Sequence, residues 1–234
     1  MKITTIILIL SSFLFGSCSS SNYFEGTIKY RFESNLYNED NEVDLSYREY
    51  SKREFGEYFV ESHKKGNYLR EYEGKDSIGM DFQVYIQSTN IKYTKYNYND
   101  TLYWESTASL NGAGNFKILE KKIGDTLIDN ETFNFLRTEY EMPYQGNILK
   151  QDEKYYYNDN LKINPNDFVS YKKSFLYETF KEIESLPYLY IRKSTSKSFS
   201  VTQIEKTQVV EKKEMEIDLN SILNKITGKP LKER

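Results

Sequence analysis

Residues 24–33 read FEGTIKYRFE, and their alternation sets the fold class. Phe24, Gly26, Ile28, Tyr30 and Phe32 fall on one face, while Glu25, Thr27, Lys29, Arg31 and Glu33 fall on the other. Side chains of an extended chain point to opposite faces in turn, so this stretch predicts a half-buried antiparallel strand. The same period recurs outward from it. EVDLSY (42–47) alternates through Val43, Leu45 and Tyr47, although residues 42–57 as a whole fit helix as well as strand. EYFVESHKKGNYLREYE (57–73) reads as a hairpin turning at Lys65-Gly66-Asn67. Further strands are expected at 82–87, 91–98, 101–105, 116–122, 132–141, 188–193, 199–210 and 215–219, with turns at Asn99-Asp100 and Gly124-Asp125.

One segment changes period. Asn164-Pro165 suits a helix start, and Phe168, Tyr171, Phe175 and Ile183, widened by Leu176 and Phe180, form an apolar stripe that ends at Leu186-Pro187. Nine or more strands with one main amphipathic helix, over 166–184, predict a mostly β protein: a strongly curved antiparallel sheet wrapped on a helix. No internal repeat or linker divides the chain, so residues 23–226 are expected to form a single domain, followed by a basic tail over 227–234.

Composition fits that expectation. Aromatic residues make up 16% of the chain, with 22 Tyr and 14 Phe against one Trp, so a large core is available in spite of 29% charged residues. A net charge of −3 speaks against a nucleic-acid partner.

The N-terminus has its own logic. Met1-Lys2 is positive, and Ile3 to Phe15 is apolar apart from Thr and Ser. Thirteen helical residues span roughly 20 Å, short of a hydrocarbon core of about 30 Å, which is the form of an export signal rather than a membrane span. Gly16-Ser17-Cys18 resembles the lipobox of bacterial lipoproteins, although Phe15 stands where that pattern prefers Leu. The resemblance implies cleavage after residue 17, acylation of Cys18, and a short tether over 18–22. The alternative is ordinary cleavage nearby, with Cys18 left as a stray thiol. Several acyl chains on one residue make anchoring stable. The resemblance therefore implies a cell-envelope lipoprotein, on the outer membrane and facing the periplasm, since no acidic cluster follows Cys18.

Residues suited to catalysis are few. His63 is the sole histidine, no G-x-S-x-G elbow is present, and with Cys18 acylated no thiol remains. Neither a zinc set nor a cofactor site is expected. GAGN (112–115) lacks the third glycine of a dinucleotide loop, and NEDNEVD (38–44) lacks the glycine of a calcium loop, so both read as surface turns. S-x-x-K occurs three times without the partner motifs that give it meaning. Three short stretches, Asp76-Ser77-Ile78, Asp100-Thr101-Leu102 and Asp125-Thr126-Leu127, resemble an O-glycosylation motif of some bacteria, a pattern frequent by chance. A non-enzymatic protein is expected. Aromatic density in 91–105 and 154–159 suits either a sugar platform or core.

The order of FEGTIKYRF, the 57–73 hairpin, QVYIQSTNIKYTKYN (83–97), LPYLYI (186–191) and VTQIEKTQVVE (201–211) resembles the lipoprotein-localisation (Lol) carrier superfamily, and more closely a group of exported bacterial proteins with the same layout. The resemblance implies an unclosed β half-barrel with helix across its concave face, holding an acyl or other lipid-like ligand. It departs from the carriers in a 65–67 turn without proline and in Ser88-Thr89-Asn90 where they have glycine. The implied ligand contacts are Ile28, Tyr30 and Phe32 on the sheet and Phe168, Tyr171 and Phe175 on the helix, with Arg70, in a pattern like R-x-x-Y, at the ligand's polar head. Arg70 reads equally as a solvent-facing strand residue. The alternative function is an envelope interaction protein with a filled core, binding glycan or protein.

Overall fold

The computed structural model describes residues 23–64, 67–75, 79–86, 91–96, 102–106, 116–144, 146–164, 179, 181–211 and 231–233. Their strands are β1 (Gly26–Tyr37), β2 (Tyr58–Lys64), β3 (Asn67–Glu73), β4 (Met80–Ile86), β5 (Ile91–Tyr96), β6 (Leu102–Ser106), β7 (Lys117–Ile128), β8 (Glu131–Tyr144), β9 (Asn147–Tyr157), β10 (Leu189–Thr195), β11 (Ser200–Glu211) and β12 (Leu231–Glu233). All join one sheet in the order β12-β6-β5-β4-β3-β2-β1-β11-β10-β9-β8-β7. Neighbours are antiparallel except β12 on β6, which is parallel. Its two ends, β12 and β7, do not meet, so the sheet is unclosed. Residues 231–233 thus lie in the sheet, within the stretch read as a tail.

The opening strand behaves as its alternation requires. Ile28 and Tyr30 are buried at 0% and 2% exposure, and Lys29 between them and Arg31 after them are not. The largest core cluster joins Ile28, Tyr30, Phe59, Leu136, Tyr155 and Tyr190 from five strands with Leu161, Ile163, Ile183 and Leu186 from the segments that cross beneath them. Register explains why these meet. Tyr30 lies opposite Phe59, Phe32 opposite Glu205, Glu205 opposite Tyr190, and Tyr190 opposite Tyr155. One row of side chains therefore crosses the concave face.

Three expectations are corrected. EVDLSY does not continue as strand. Asp44 caps a helix, α1 (Leu45–Phe55), by accepting the Tyr47 N–H, and the helix seats Phe55 against Phe32 and Tyr72. The short side chain of Asp44 satisfies a helix-end N–H that a strand would not leave open. Gly124-Asp125 is not a turn but mid-β7, where Gly124 leaves room for the Phe135 ring; a Cβ there would come 2.8 Å from it. The β7–β8 turn falls instead at Asp129-Asn130, both with positive φ (52° and 68°), the geometry of a two-residue hairpin loop. Third, β9 occupies residues for which no strand was expected, its aromatic run YYY closing the alternation of Leu149, Gln151, Glu153 and Tyr155.

The helix expected over 166–184 lies outside the described residues except for Thr179 and residues 181–184, of which Thr179 and 181–183 are helical and Glu184 is not. The export signal, Cys18 and the 215–219 strand also lie outside them.

Gly56 ends α1 at φ 72°, its N–H donating to the Lys52 carbonyl. A Cβ at that position would sit 1.9 Å from the Glu73 carbonyl oxygen. Gly56→Ala is therefore expected to destabilise by at least about 1–3 kcal/mol, read as a lowered urea midpoint.

Candidate ligand cavity on the concave face

A cavity of about 270 Å³ opens on the concave side over β1, β2, β3, β10 and β11. Its walls mix two kinds of side chain: Phe32, Phe55, Phe59, Leu186 and Pro187 are apolar, Glu61, Arg70, Arg192, Gln203 and Glu205 are polar, and Tyr30, Tyr72 and Tyr190 offer both ring and hydroxyl. At about 30 Å³ per water, the space holds roughly nine, enough for a short chain or a single head group.

The polar groups of the lining centre on Glu61, which is 2% exposed. Arg70 Nε donates to Glu61 Oε1 at 2.7 Å, with Nη2 at 2.5 Å from the same oxygen, and His63 Nε2 lies 3.0 Å from Oε2. Burial alone would raise the Glu61 carboxyl, but Arg70 and His63 outweigh it and bring it down to about 2. Arg70 also lies over the Phe59 ring at 4.1 Å, which fixes the guanidinium plane. Its Nη1 is 3.9 Å from Glu205, whose side chain is 20% exposed. Burial pushes the Glu205 carboxyl up, and the nearby Glu61 charge adds to this against Arg70 and Arg192. Two carboxylates within reach of one arginine are thus driven in opposite directions.

Arg192 closes the other end. It donates to Gln203 Oε1, while its Nε is buried with no hydrogen-bond partner among the described residues. Behind it, opposite in register, lies Glu153, which is 2% exposed. Glu153 accepts from the hydroxyls of Tyr155 at 2.7 Å, Tyr140 at 3.0 Å and Tyr190 at 3.3 Å. Burial still leaves its carboxyl raised.

Of the residues expected to touch a ligand, Tyr30, Phe32 and Arg70 line this cavity together. Arg70 faces the concavity rather than solvent. Ile28 does not line it: fully buried, it packs in the core below. Phe168, Tyr171 and Phe175 lie outside the described residues. Sequence reasoning missed Glu61, Arg192, Gln203 and Glu205. Each occupies the inward phase of its strand, next to Phe59, Tyr190 or Thr207, and a charge in an apolar phase was the available signal. Among the described residues, no group of three or more His, Cys, Asp or Glu side chains is placed to hold a metal ion, and no helix is long and apolar enough to cross a membrane.

No protein-family model matches the chain, and no curated protein does. Among solved structures, the chain is similar to PNGF-II at 12% identity and a TM-score of 0.40, over 88% of this chain and 31% of that one. The chain spans under a third of that protein's length, and a likeness of this degree carries no argument about function.

Proposed function

We propose that this protein is a lipid-anchored lipoprotein of the bacterial cell envelope, held by Cys18, whose half-barrel binds a small amphiphile. The chain of the ligand would lie on Phe32, Phe55 and Phe59, and its head group would accept from Arg192. The observation that carries the reading is a cavity walled by both aromatic and charged side chains, with Arg192 Nε buried and without a hydrogen-bond partner among the described residues. Ligand sites are concave and largely apolar, with few polar groups fixing orientation. The anchor rests on the resemblance of Gly16-Ser17-Cys18 to a lipobox. The cavity volume favours a single short acyl chain over a whole lipoprotein anchor.

The second reading, an envelope interaction protein with a filled core, draws on Leu136 and Tyr155, which pack in the core cluster outside the cavity lining, and on Tyr190, which joins that cluster to the cavity wall. One preparation separates the two. The full chain, exported by its own signal and extracted in mild detergent, is analysed by native mass spectrometry and titrated with a fluorescent fatty acid. An acyl adduct, with saturable uptake weakened about tenfold (about 1.4 kcal/mol) by Phe55→Ala in a folded protein, is the expected result. A clean apo mass without uptake leaves the second reading. Labelled palmitate, incorporated by the parent and lost in Cys18→Ser, reports on the anchor in the same cells.

A further inference from the structure

β7 ends the sheet. β8 is its one described neighbour, so the outer ladder of a twelve-residue strand has no strand partner among the described residues. The strand is also apolar where it is bare. Ile118, Leu119, Ile123 and Leu127 are 49%, 39%, 65% and 71% exposed. Their register against β8, Ile123 opposite Leu136 and Leu127 opposite Thr132, puts Lys121, Ile123, Asp125 and Leu127 on one side of the sheet. An edge of this length with exposed apolar side chains is a template for another strand.

We propose that β7 is a homodimer edge, through which two copies pair antiparallel about a two-fold axis at Ile123. The charges of the strand select both the partner and the register. With Ile123 opposite its own copy, Lys121 faces the partner's Asp125 and Asp125 faces the partner's Lys121. On the other side of the sheet Lys122 meets the partner's Gly124, and Glu120 meets the partner's Thr126, so no like charges face each other. Moving the axis to residue 122 sets Lys122 on its own copy. Moving it to residue 124 sets Ile123 against Asp125 and Lys121 against Leu127. Opposite charges directly across a strand pair are favourable and like charges are not.

Lysines on an edge strand ordinarily deter pairing. Here the partner's Asp125 would face Lys121 across the ladder, and Glu182 of its own chain also pairs with that lysine. The bulge between Ile118 and Glu120 falls at one end and leaves residues 120–128 regular. Isologous pairing of this kind closes on itself as a dimer, since both copies use the same β7 edge.

The test is disulfide crosslinking of the full chain in host membranes, with single cysteines added along β7 and the parent, carrying Cys18 alone, as background. Ile123→Cys meets its own copy directly and is expected to give a covalent dimer at several times background. Asp125→Cys lies roughly 13 Å from its copy, four residues at about 3.3 Å each, beyond disulfide reach, and should stay at background. Adding Asp125→Lys to Ile123→Cys should cut the dimer several-fold, and Lys121→Asp with it should restore the dimer. Ile123 is largely exposed, so the cysteine should leave the unfolding midpoint unchanged. Background crosslinking at 123 in a folded chain, or equal crosslinking at 123 and 125, overturns the proposal.

Discussion

Arg70→Met is expected to destabilise the protein by about 3–5 kcal/mol at pH 7, the range for breaking a buried ion pair from one side. Methionine keeps most of the apolar stem and removes the guanidinium. Glu61, 2% exposed, then loses both bonds to Arg70 Nε and Nη2 and keeps His63 alone. Its carboxylate becomes a buried charge without adequate compensation, while Phe59 loses the cation above its ring. The pH dependence identifies the cause. Because the folded-state carboxyl is held down at about 2, against about 4.3 in an unfolded chain, its contribution is complete above pH 4.3. It is lost as pH falls through 4.3 toward 2. The gap between parent and variant should therefore be widest near neutrality and narrow as pH falls below 4.3, where the unfolded chain takes up the proton that the parent's folded Glu61 still excludes. Urea unfolding at pH 7 and pH 3 measures this. A gap that does not change with pH would assign the loss to packing and remove the ion pair as its source.

The sequence made the sheet legible and the polar floor of its cavity much less so, and the physical reason is the same in both cases. Ile28, Tyr30 and Phe32 announce a strand because period two is a local property, visible within ten residues. Whether an inward position meets core or cavity depends on register with strands far away in the chain: Phe32 faces Glu205, and Ile28 faces Glu61. Alternation cannot separate Ile28, sealed under the sheet, from Phe32 at the cavity wall. Arg70 could be placed on its strand but not on a face, because YLREYE alternates weakly. EVDLSY shows the reverse failure. Val43, Leu45 and Tyr47 alternate as a strand would, yet the Asp44 cap and the Gly56 stop, twelve residues apart, decide for helix. At Gly124-Asp125 turn-forming residues were given more weight than the strand around them, when Phe135 across the ladder was what required glycine.

The same concave row accounts for the second large effect, Glu153→Ala, expected to cost about 3–5 kcal/mol. Tyr140, Tyr155 and Tyr190 all donate to this carboxylate, two of them to Oε1 and Tyr155 to Oε2. Truncation removes the carboxylate to which three buried hydroxyls donate, and a buried polar group that loses its hydrogen bond costs about 1–3 kcal/mol. The three losses overlap, since the rings can shift toward the space vacated, so the total falls below their sum. Glu153→Gln provides the control. Its single amide oxygen can still accept from Tyr140 and Tyr190, while its NH₂ cannot replace the acceptor for Tyr155. It also removes a charge that burial disfavours. Because the folded-state carboxyl is raised, charging it penalises the folded protein above that pKa, and the penalty is absent below the unfolded value of about 4.3. Glu153→Gln should therefore compare better with the parent at pH 7 than at pH 4. Tyr190 belongs both to this clamp and to the cavity wall, so loosening it should also weaken uptake of a fatty acid in whatever protein remains folded. A loss under 1 kcal/mol for Glu153→Ala would mean that the tyrosines find other acceptors, and that the carboxylate does not hold the wall of the cavity in place.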